Sequence, residues 1–313
     1  MGGIQAGYGT LPGLPMATLH SPHRLVLTSR DEEVLRGLAL CPLTAAQLLT
    51  LSQTFRQPFP SLRKVRARLR VLAARHQHVA PLVCTWQYAT AGINPLNYYT
   101  LSRLGFQMVF GPEAEGSAAY VRPVAIARQR HTQALADFIV HTSVAAVRVG
   151  VAIAEASREN TVRLDVSGGS LYPDYSFTLR TTTDNTFTFF TELDNGTEPV
   201  FSTKDRDSWE RKLRLYSAYA LQSGTRFRVL IVSTNRPERV EHILALANAL
   251  QGQGSPSLFY GIRLAAYLAV PDAITVPCFH DSAGKVVSLL PQHRQERQPL
   301  ARPLATLATV GES

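Results

Sequence analysis

One segment near the N-terminus has an apolar stripe with a clear helical period. Between residues 60 and 79, Leu62, Val65, Leu69 and Leu72 recur at intervals of three and four residues. This spacing places all four side chains on one face of a helix. We therefore predict a helix that packs on its neighbours through this stripe and exposes its other faces.

The segments around this helix complete a small fold of recognisable order. Two short helices are predicted before it, the first with Thr28, Ser29 or Asp31 as candidate N-cap and the second with Thr44, and two strand-like segments come after it. These helices are predicted at 28–40 and 42–52, and the strands within 80–89 and 97–105. Three helices followed by a two-stranded ribbon is the order of a winged helix-turn-helix, which we predict for residues 25–110.

The second half of the chain alternates between helical and extended patterns. The predicted elements are a helix at 125–160, strands at 161–166, 171–180 and 185–194, a helix at 205–220, a strand at 226–233, a helix at 236–252 and a strand at 257–268. A strand hairpin that leads into a helix and then an apolar strand predicts a mixed sheet with helices on its faces. We place this α/β domain at 124–290, with an α-β-β-β-α-β core.

Composition sets the remaining boundaries. Gly- and Pro-rich residues 1–24 and the Pro-rich tail 291–313 are predicted to be disordered, and 111–123 to be a linker. The three cysteines form no metal-binding motif, no signal-peptide pattern opens the chain, and no apolar stretch is long enough to cross a membrane. We therefore expect a cytoplasmic protein without a membrane partner.

Charge points to a polyanionic partner. The formal net charge is +9, and residues 1–120 contain 11 Lys or Arg against 5 Asp or Glu. The helix predicted at 60–79 contains no acid. Its cations are Arg63, Lys64, Arg66, Arg68, Arg70 and Arg75.

These cations have distinct predicted roles on DNA. In a winged helix-turn-helix the third helix enters the major groove, where arginines can bond guanine edges. We assign base contacts to Arg63 and Arg66, which share a face with Arg70, and phosphate contacts to Lys64, Arg68 and Arg75. The alternative is an amphipathic helix with a solvated face and no nucleic-acid role.

Several motifs together resemble those of a known family. They are "RDEEVLRGLALCPLTAAQLLTL", "YYTLSRLG", "RHTQALADF", "PDYSFTL", "FFTELDNGTEP", "WERKLRLYSAY" and "FRVLIVSTNRPERVEHIL". In order and spacing they resemble the replication-relaxation family of plasmids and other mobile elements. The resemblance implies a DNA-binding wing domain, and a relaxase or replication protein as a possible partner. The second domain is also similar in element order to the PD-(D/E)xK nucleases, in which strand carboxylates bind a metal.

Three acids in the second domain are the candidates for such chemistry. Asp174 lies near the start of the strand predicted at 171–180, and Glu192 and Asp194 lie at the end of the next, so the carboxylates could meet at one sheet edge. Such oxygens suit Mg²⁺. A catalytic lysine could come from Lys204 or Lys212, and Glu155 or Glu159, on the helix predicted at 125–160, could supply a fourth acid.

The same acids also have a non-catalytic interpretation. Asp174 follows Pro173 and can cap a turn, and Asp194-Asn195-Gly196 is a turn sequence that needs positive φ at the glycine. The second domain would then be a nuclease-like scaffold for binding or homodimerisation. We expect a DNA-binding accessory or regulatory protein, with a Mg²⁺-dependent endonuclease and a non-catalytic protein-interaction adaptor as alternatives.

Overall fold

The computed structural model describes residues 25–76, 78–89, 96–200, 208–251 and 257–291. The segments predicted to be disordered, 1–24 and all but the first residue of 291–313, lie outside these ranges. Within them the chain forms α-helices and a large mixed sheet. No helix in these ranges is long and apolar enough to cross a membrane.

The N-terminal part contains three helices and a small sheet. Its elements are α1 (Ser29–Leu40), β1 (Leu43–Thr44), α2 (Ala45–Leu51), α3 (Leu62–Ala73), β2 (Val83–Gln87) and β3 (Asn97–Leu101). The three antiparallel strands lie in the order β1-β3-β2. Thr28, one of the three candidates, and Thr44 are confirmed as N-caps: Asp31 Oδ2 accepts from the Thr28 backbone N–H at 2.7 Å, and Thr44 Oγ1 accepts from Gln47 N at 3.2 Å.

Two further helices follow this sheet. They are α4 (Arg103–Phe110) and α5 (Ala118–Val121). Gly105 was expected to end the strand segment but lies within α4, close to the backbone carbonyl of Leu82. A Cβ at this position would come within 2.0 Å of that oxygen, so close packing of the backbone explains this glycine. Part of the segment predicted as a linker is helical.

The second part is built around a seven-stranded sheet. Its elements are α6 (Gln129–Arg148), β4 (Ala152–Arg158), β5 (Leu164–Val166), β6 (Gly169–Leu171), β7 (Tyr175–Arg180), β8 (Thr186–Asp194), α7 (Trp209–Ser223), β9 (Phe227–Ser233), α8 (Pro237–Gln251), β10 (Phe259–Arg263), α9 (Leu264–Leu268), β11 (Phe279–Asp281) and β12 (Val286–Val287). The strand order is β12-β11-β10-β9-β8-β7-β4, with β8, β9 and β10 parallel to one another. The predicted mixed sheet is confirmed.

Two predictions about the start of this sheet are wrong. The helix predicted to run to Asn160 ends at Arg148, because Gly150 has φ +71° and turns the chain into β4. Glu155 and Glu159 therefore lie on and just after a strand rather than on a helix. The segment predicted as the first core strand, 161–166, contains β5, which pairs only with β6 in a separate two-stranded sheet.

One of the two hydrophobic clusters among the described residues runs through both parts of the chain. Val65 and Leu69 of α3 belong to the same buried cluster as Phe138 of α6 and Phe177 of β7. At the junction of α2 and α6, the Gln47 side chain donates to Asp137 Oδ1 at 2.7 Å. The two parts therefore pack together, and the domain boundaries remain a prediction.

Candidate functional site

The helix α3 is fixed by its apolar stripe. Ser61 caps its first turn, and Val65, Leu69 and Leu72 are almost fully buried. The helix ends at Ala73, so Arg75 lies just beyond it. Because the buried stripe holds one face inward, the orientation of the remaining faces is determined.

Five of the six predicted cations are exposed. They make no side-chain hydrogen bond or ion pair with any residue in the described ranges. We call them the α3 basic surface, and its members are Arg63, Lys64, Arg66, Arg70 and Arg75. A set of uncompensated guanidinium and ammonium groups on one helix produces a positive potential that attracts polyanions.

Arg68 differs from the other five. Its Nε lies 2.6 Å from Asp31 Oδ1 and its Nη2 lies 2.5 Å from Asp31 Oδ2, which is a bidentate ion pair. A second hydrogen bond from Nη2 reaches the Val26 carbonyl at 2.8 Å. Asp31 is almost completely buried, so Arg68 is used to neutralise an internal acid and to join α3 to α1.

The α3 basic surface borders a groove next to the small sheet. The cavity beside α3 measures about 650 Å³. A cavity of about 740 Å³ lies elsewhere and is lined by residues of β8, β9 and β12 in the large sheet. Arg66 and Arg70 line the groove beside α3 together with Thr85 of β2 and Asn97 of β3. Polar strand residues and two arginines of α3 thus border the same open space.

The three predicted acids lie near one another at one end of the large sheet, which we call the carboxylate edge. Asp174 comes directly before β7, and the register Tyr175↔Thr191 places it next to Glu192 of the antiparallel β8. Asp174 Oδ2 accepts the Leu193 backbone N–H at 2.8 Å. This bond fixes the carboxylate and leaves Oδ1 directed elsewhere.

Glu192 is buried, and both of its carboxylate oxygens accept hydrogen bonds. Its Oε2 accepts from Lys212 Nζ at 3.0 Å and its Oε1 accepts from the Tyr216 hydroxyl at 2.6 Å. Lys212 also contacts Glu198, at 2.9 Å. Burial raises the pKa of Glu192 to about 7, the Lys212 ammonium opposes this shift, and the Asp174 carboxylate adds to it. Of the two lysines predicted for this edge, Lys212 lies at it, and Lys204 lies outside the described residues.

Asp194 acts as an internal anchor. Arg239 binds it in a bidentate manner, with Nη2 to Oδ1 at 2.9 Å and Nε to Oδ2 at 3.0 Å. Trp209 Nε1 and Ser233 Oγ donate to the same carboxylate at 3.1 and 3.0 Å. Burial acts to raise the pKa of Asp194, but these donors outweigh it and hold the pKa below its usual range. The predicted turn follows, with φ +74° at Gly196.

These contacts decide whether the three acids fit a shared Mg²⁺. Each oxygen of Glu192 and of Asp194 already accepts a hydrogen bond from the protein, and a cation would have to displace Lys212 or Arg239 to reach them. Of the three, only Asp174 has an oxygen that faces further ligand-type side chains. A common ion for this trio would therefore require at least one of these ion pairs to open, and the shared metal site remains a prediction.

A different set of side chains meets Asp174. The register Arg158↔Tyr175 between β4 and β7 brings Glu159, just after β4, next to Asp174. His131 of α6 completes the group, with Nε2 3.2 Å from Asp174 Oδ1 and 3.8 Å from Glu159 Oε1. All three ligand atoms lie within 4.8 Å of one another, and no other such group of three occurs in the described ranges.

Asp174 therefore lies between Glu192 and Glu159, and its charge contributes to the raised pKa of both. Burial raises the pKa of Glu159, with the Asp174 carboxylate as the second cause. Burial would lower the pKa of His131, but Asp174 and Glu159 reverse the direction and raise it. Arg128 also makes a close ion pair with Glu159.

His131 had no predicted chemical role, because a lone histidine on an amphipathic helix more often covers the edge of the core than binds a ligand. The signal for Glu159 was present, since it was considered as a fourth acid, but on the wrong element. Its position next to Asp174 follows from the strand register, which the sequence pattern alone did not provide.

The amino-acid sequence matches one protein family, replication-relaxation, over residues 40–230. This range contains α3 and the whole carboxylate edge, together with His131 and Glu159. No curated protein and no solved structure matches the chain. Because the family match covers more than half of its residues, the protein belongs to the replication-relaxation family.

Proposed function

We propose that this protein binds double-stranded DNA and acts as an accessory factor in the replication, relaxation or mobilisation of a mobile element. The family to which it belongs supports the biological setting. A relaxase or a replication protein is the corresponding protein partner. The observation that carries the proposal is the α3 basic surface: five exposed cations without an acid partner among the described residues.

The arrangement around α3 supports a winged helix-turn-helix as the binding unit. Helix α3 follows α2 and is succeeded by the antiparallel pair β2 and β3, as a recognition helix is followed by a wing. Arg63, Arg66 and Arg70 share the exposed side, where base edges and phosphates would lie. Lys64 and Arg75 flank it and would contact phosphates.

Arg68 is the exception among the predicted phosphate contacts. A guanidinium bound at both ends of a buried carboxylate has few donors left for an external phosphate. We therefore propose the five residues of the α3 basic surface as the DNA contacts, and a positioning role for Arg68.

Fluorescence anisotropy with a labelled DNA duplex tests this proposal. Each good arginine contact contributes about 1–3 kcal/mol, so Arg63→Ala/Arg66→Ala should weaken binding by at least about tenfold. Lys64→Ala/Arg75→Ala, which removes the two residues assigned to phosphates, should instead make the slope of log affinity against log salt shallower, by about 0.9 for each phosphate contact that is lost.

A matched double variant controls for net charge. Arg180 and Arg214 are also exposed arginines but lie away from α3, and Arg180→Ala/Arg214→Ala removes the same charge. It should bind duplex nearly as the unmodified protein does. Equal losses in the two arginine double variants would mean that charge alone drives binding, and no loss in either would reject the α3 assignment.

A metal-dependent DNA endonuclease is the second candidate function. The observation that favours it is Lys212 Nζ, 3.0 Å from Glu192 and beside the strand end that carries Asp174. Incubation with supercoiled plasmid and Mg²⁺ or Mn²⁺ separates the two functions. Nicking that is lost in Asp174→Asn but retained in Glu155→Gln would support the enzyme, and intact plasmid with both metals would exclude it for this substrate.

A further inference from the structure

We propose that His131, Glu159 and Asp174 form a binding site for a divalent first-row transition cation such as Mn²⁺ or Zn²⁺. The three side chains come from three separate elements: α6, the turn after β4 and the entry to β7. The β4–β7 register and the packing of α6 against the sheet bring them together. This group shares only Asp174 with the carboxylate trio predicted from the sequence.

The distances in this group suit an ion. Ligand atoms about 2.1 Å from a metal lie about 3.0 Å apart in octahedral geometry and about 3.4 Å apart in tetrahedral geometry. The separations of His131 Nε2 are 3.2 Å to Asp174 Oδ1 and 3.8 Å to Glu159 Oε1. Small side-chain movements would bring all three atoms into one coordination sphere.

The state of the imidazole is an independent observation. His131 Nε2 is buried and lies 3.2 Å from Asp174 Oδ1, in an ion pair whose angle falls short of a good hydrogen bond. A metal ion between this nitrogen and the two carboxylates would give the nitrogen a partner in better geometry.

The surroundings orient the ligands. The Leu193 backbone N–H holds Asp174 Oδ2, which leaves Oδ1 for the ion. Arg128 Nη2 donates to Glu159 Oε1, the oxygen that lies near His131, so an ion would have to displace Arg128 from that oxygen or bind the other oxygen of Glu159. One imidazole and two carboxylates form a mixed nitrogen and oxygen set, which favours Mn²⁺ or Zn²⁺ over Ca²⁺ or Mg²⁺.

Three protein ligands leave coordination positions for others. Glu159 also lines a cavity of about 410 Å³ whose wall includes Arg122, Arg128 and Arg158. Glu159 is the only acid among the residues that line this cavity. An ion held by Glu159 would border this cavity, where an anionic oxygen ligand such as a phosphate has room and counter-charge.

Titration of the chelator-treated full-length protein with MnCl₂ tests the site. Electron paramagnetic resonance measures the free Mn²⁺ ion, and pulsed methods detect ¹⁴N coupling from a coordinated imidazole. We expect one bound ion per chain with ¹⁴N coupling. Asp174→Asn and Glu159→Gln should each weaken binding by at least about tenfold, and His131→Gln should also abolish the coupling.

Two variants serve as matched controls. Glu155→Gln changes an exposed acid on the neighbouring strand, and His141→Gln changes a histidine on the same helix α6; both should bind Mn²⁺ normally. Circular dichroism checks that each variant is folded. If His131→Gln does not fold, Asp174→Asn and Glu159→Gln still test the site. Absence of Mn²⁺ and Zn²⁺ binding, or binding without ¹⁴N coupling, would show that His131 and Asp174 form only an internal ion pair.

Discussion

The charged side chains of the α3 basic surface and of the carboxylate edge differ in burial and in pairing. On α3, Arg63, Arg66 and Arg70 reach solvent and find no acid partner in the described ranges. At the carboxylate edge, Glu192 and Asp194 are buried and every one of their oxygens accepts a hydrogen bond. A buried ion costs several kcal/mol unless it is paired, so the edge must satisfy its charges internally, whereas an exposed cation can remain available for a partner.

The comparison shows that pairing, more than charge or composition, separates the groups that are fixed inside the fold from those that are left open to a partner. Arg68 lies on the same helix as Arg66 but is bound to buried Asp31, so it belongs with the internal ion pairs. Conversely, Asp174 lies at the same edge as Asp194 but directs one oxygen towards His131, whose Nε2 makes no hydrogen bond of good geometry among the described residues. Each region thus contains one residue that behaves like those of the other region.

The largest effect on stability is expected at Asp194. Asp194→Ala leaves the mostly buried guanidinium of Arg239 without its partner, together with the Trp209 and Ser233 donors. Breaking a buried pair on one side costs about 3–5 kcal/mol, so the free energy of unfolding in urea should fall by about that amount.

An exposed ion pair provides the control for this loss. Glu210 and Arg214 form a pair one helical turn apart on α7, with the arginine 61% exposed. Arg214→Ala should change the free energy of unfolding by less than about 0.5 kcal/mol. If Asp194→Ala cost no more than this control, the carboxylate would be free to act as a ligand, and the structural role assigned to it would be wrong.

Two single variants of α3 should differ in the property that they change: Arg68→Ala should lower stability, and Arg66→Ala should weaken duplex binding. Arg68→Ala leaves Asp31 buried without its strongest partner, and should lower the free energy of unfolding by about 2 kcal/mol, with Thr28 still donating to the acid. Arg66→Ala removes an exposed side chain and should leave stability nearly unchanged while weakening duplex binding. Urea unfolding and anisotropy on both variants check this, and the reverse assignment of effects would overturn the division.

The sequence could predict the features that depend on local spacing. The apolar stripe of α3 gave its position and its buried face, and the polar turn between two strand patterns gave the β7–β8 hairpin. The end of α6 was missed because left-handed Gly150 interrupts a pattern that otherwise reads as helical. The helical pattern of the sequence continues beyond Arg148, where α6 ends, so the pattern alone predicted a helix that is too long.

The composition of the candidate metal site could not be predicted in the same way. His131, Glu159 and Asp174 are separated by 28 and 15 positions along the chain and meet only through the β4–β7 register and the packing of α6. Likewise, nothing in the sequence distinguished Arg68 from its five neighbours, since its pairing depends on the position of α1. Both features are tertiary, and local periodicity does not encode them.

Acid titration should give the smallest of the expected effects. The folded-state pKa of Asp194 lies below its ordinary value, because Arg239, Trp209 and Ser233 bond the charged form more strongly than burial disfavours it. Its stabilising contribution is therefore present above the ordinary value near 3.8 and is lost as pH falls through the lower, folded-state pKa.

The free energy of unfolding, measured in urea at pH values from 6 down to 2.5, should fall more steeply for the unmodified protein than for Asp194→Asn. Each pKa unit of difference between the folded and unfolded states corresponds to about 1.4 kcal/mol. Asp31, whose pKa is also lowered by Arg68 and Thr28 against the effect of burial, should give a second, parallel difference in Asp31→Asn. The free energy of unfolding could instead depend on pH with the same slope in the unmodified protein, Asp194→Asn and Asp31→Asn. Neither buried carboxylate would then be held in its charged form by its partners. The distinction between the internally paired acids and the open basic helix would lose its energetic basis.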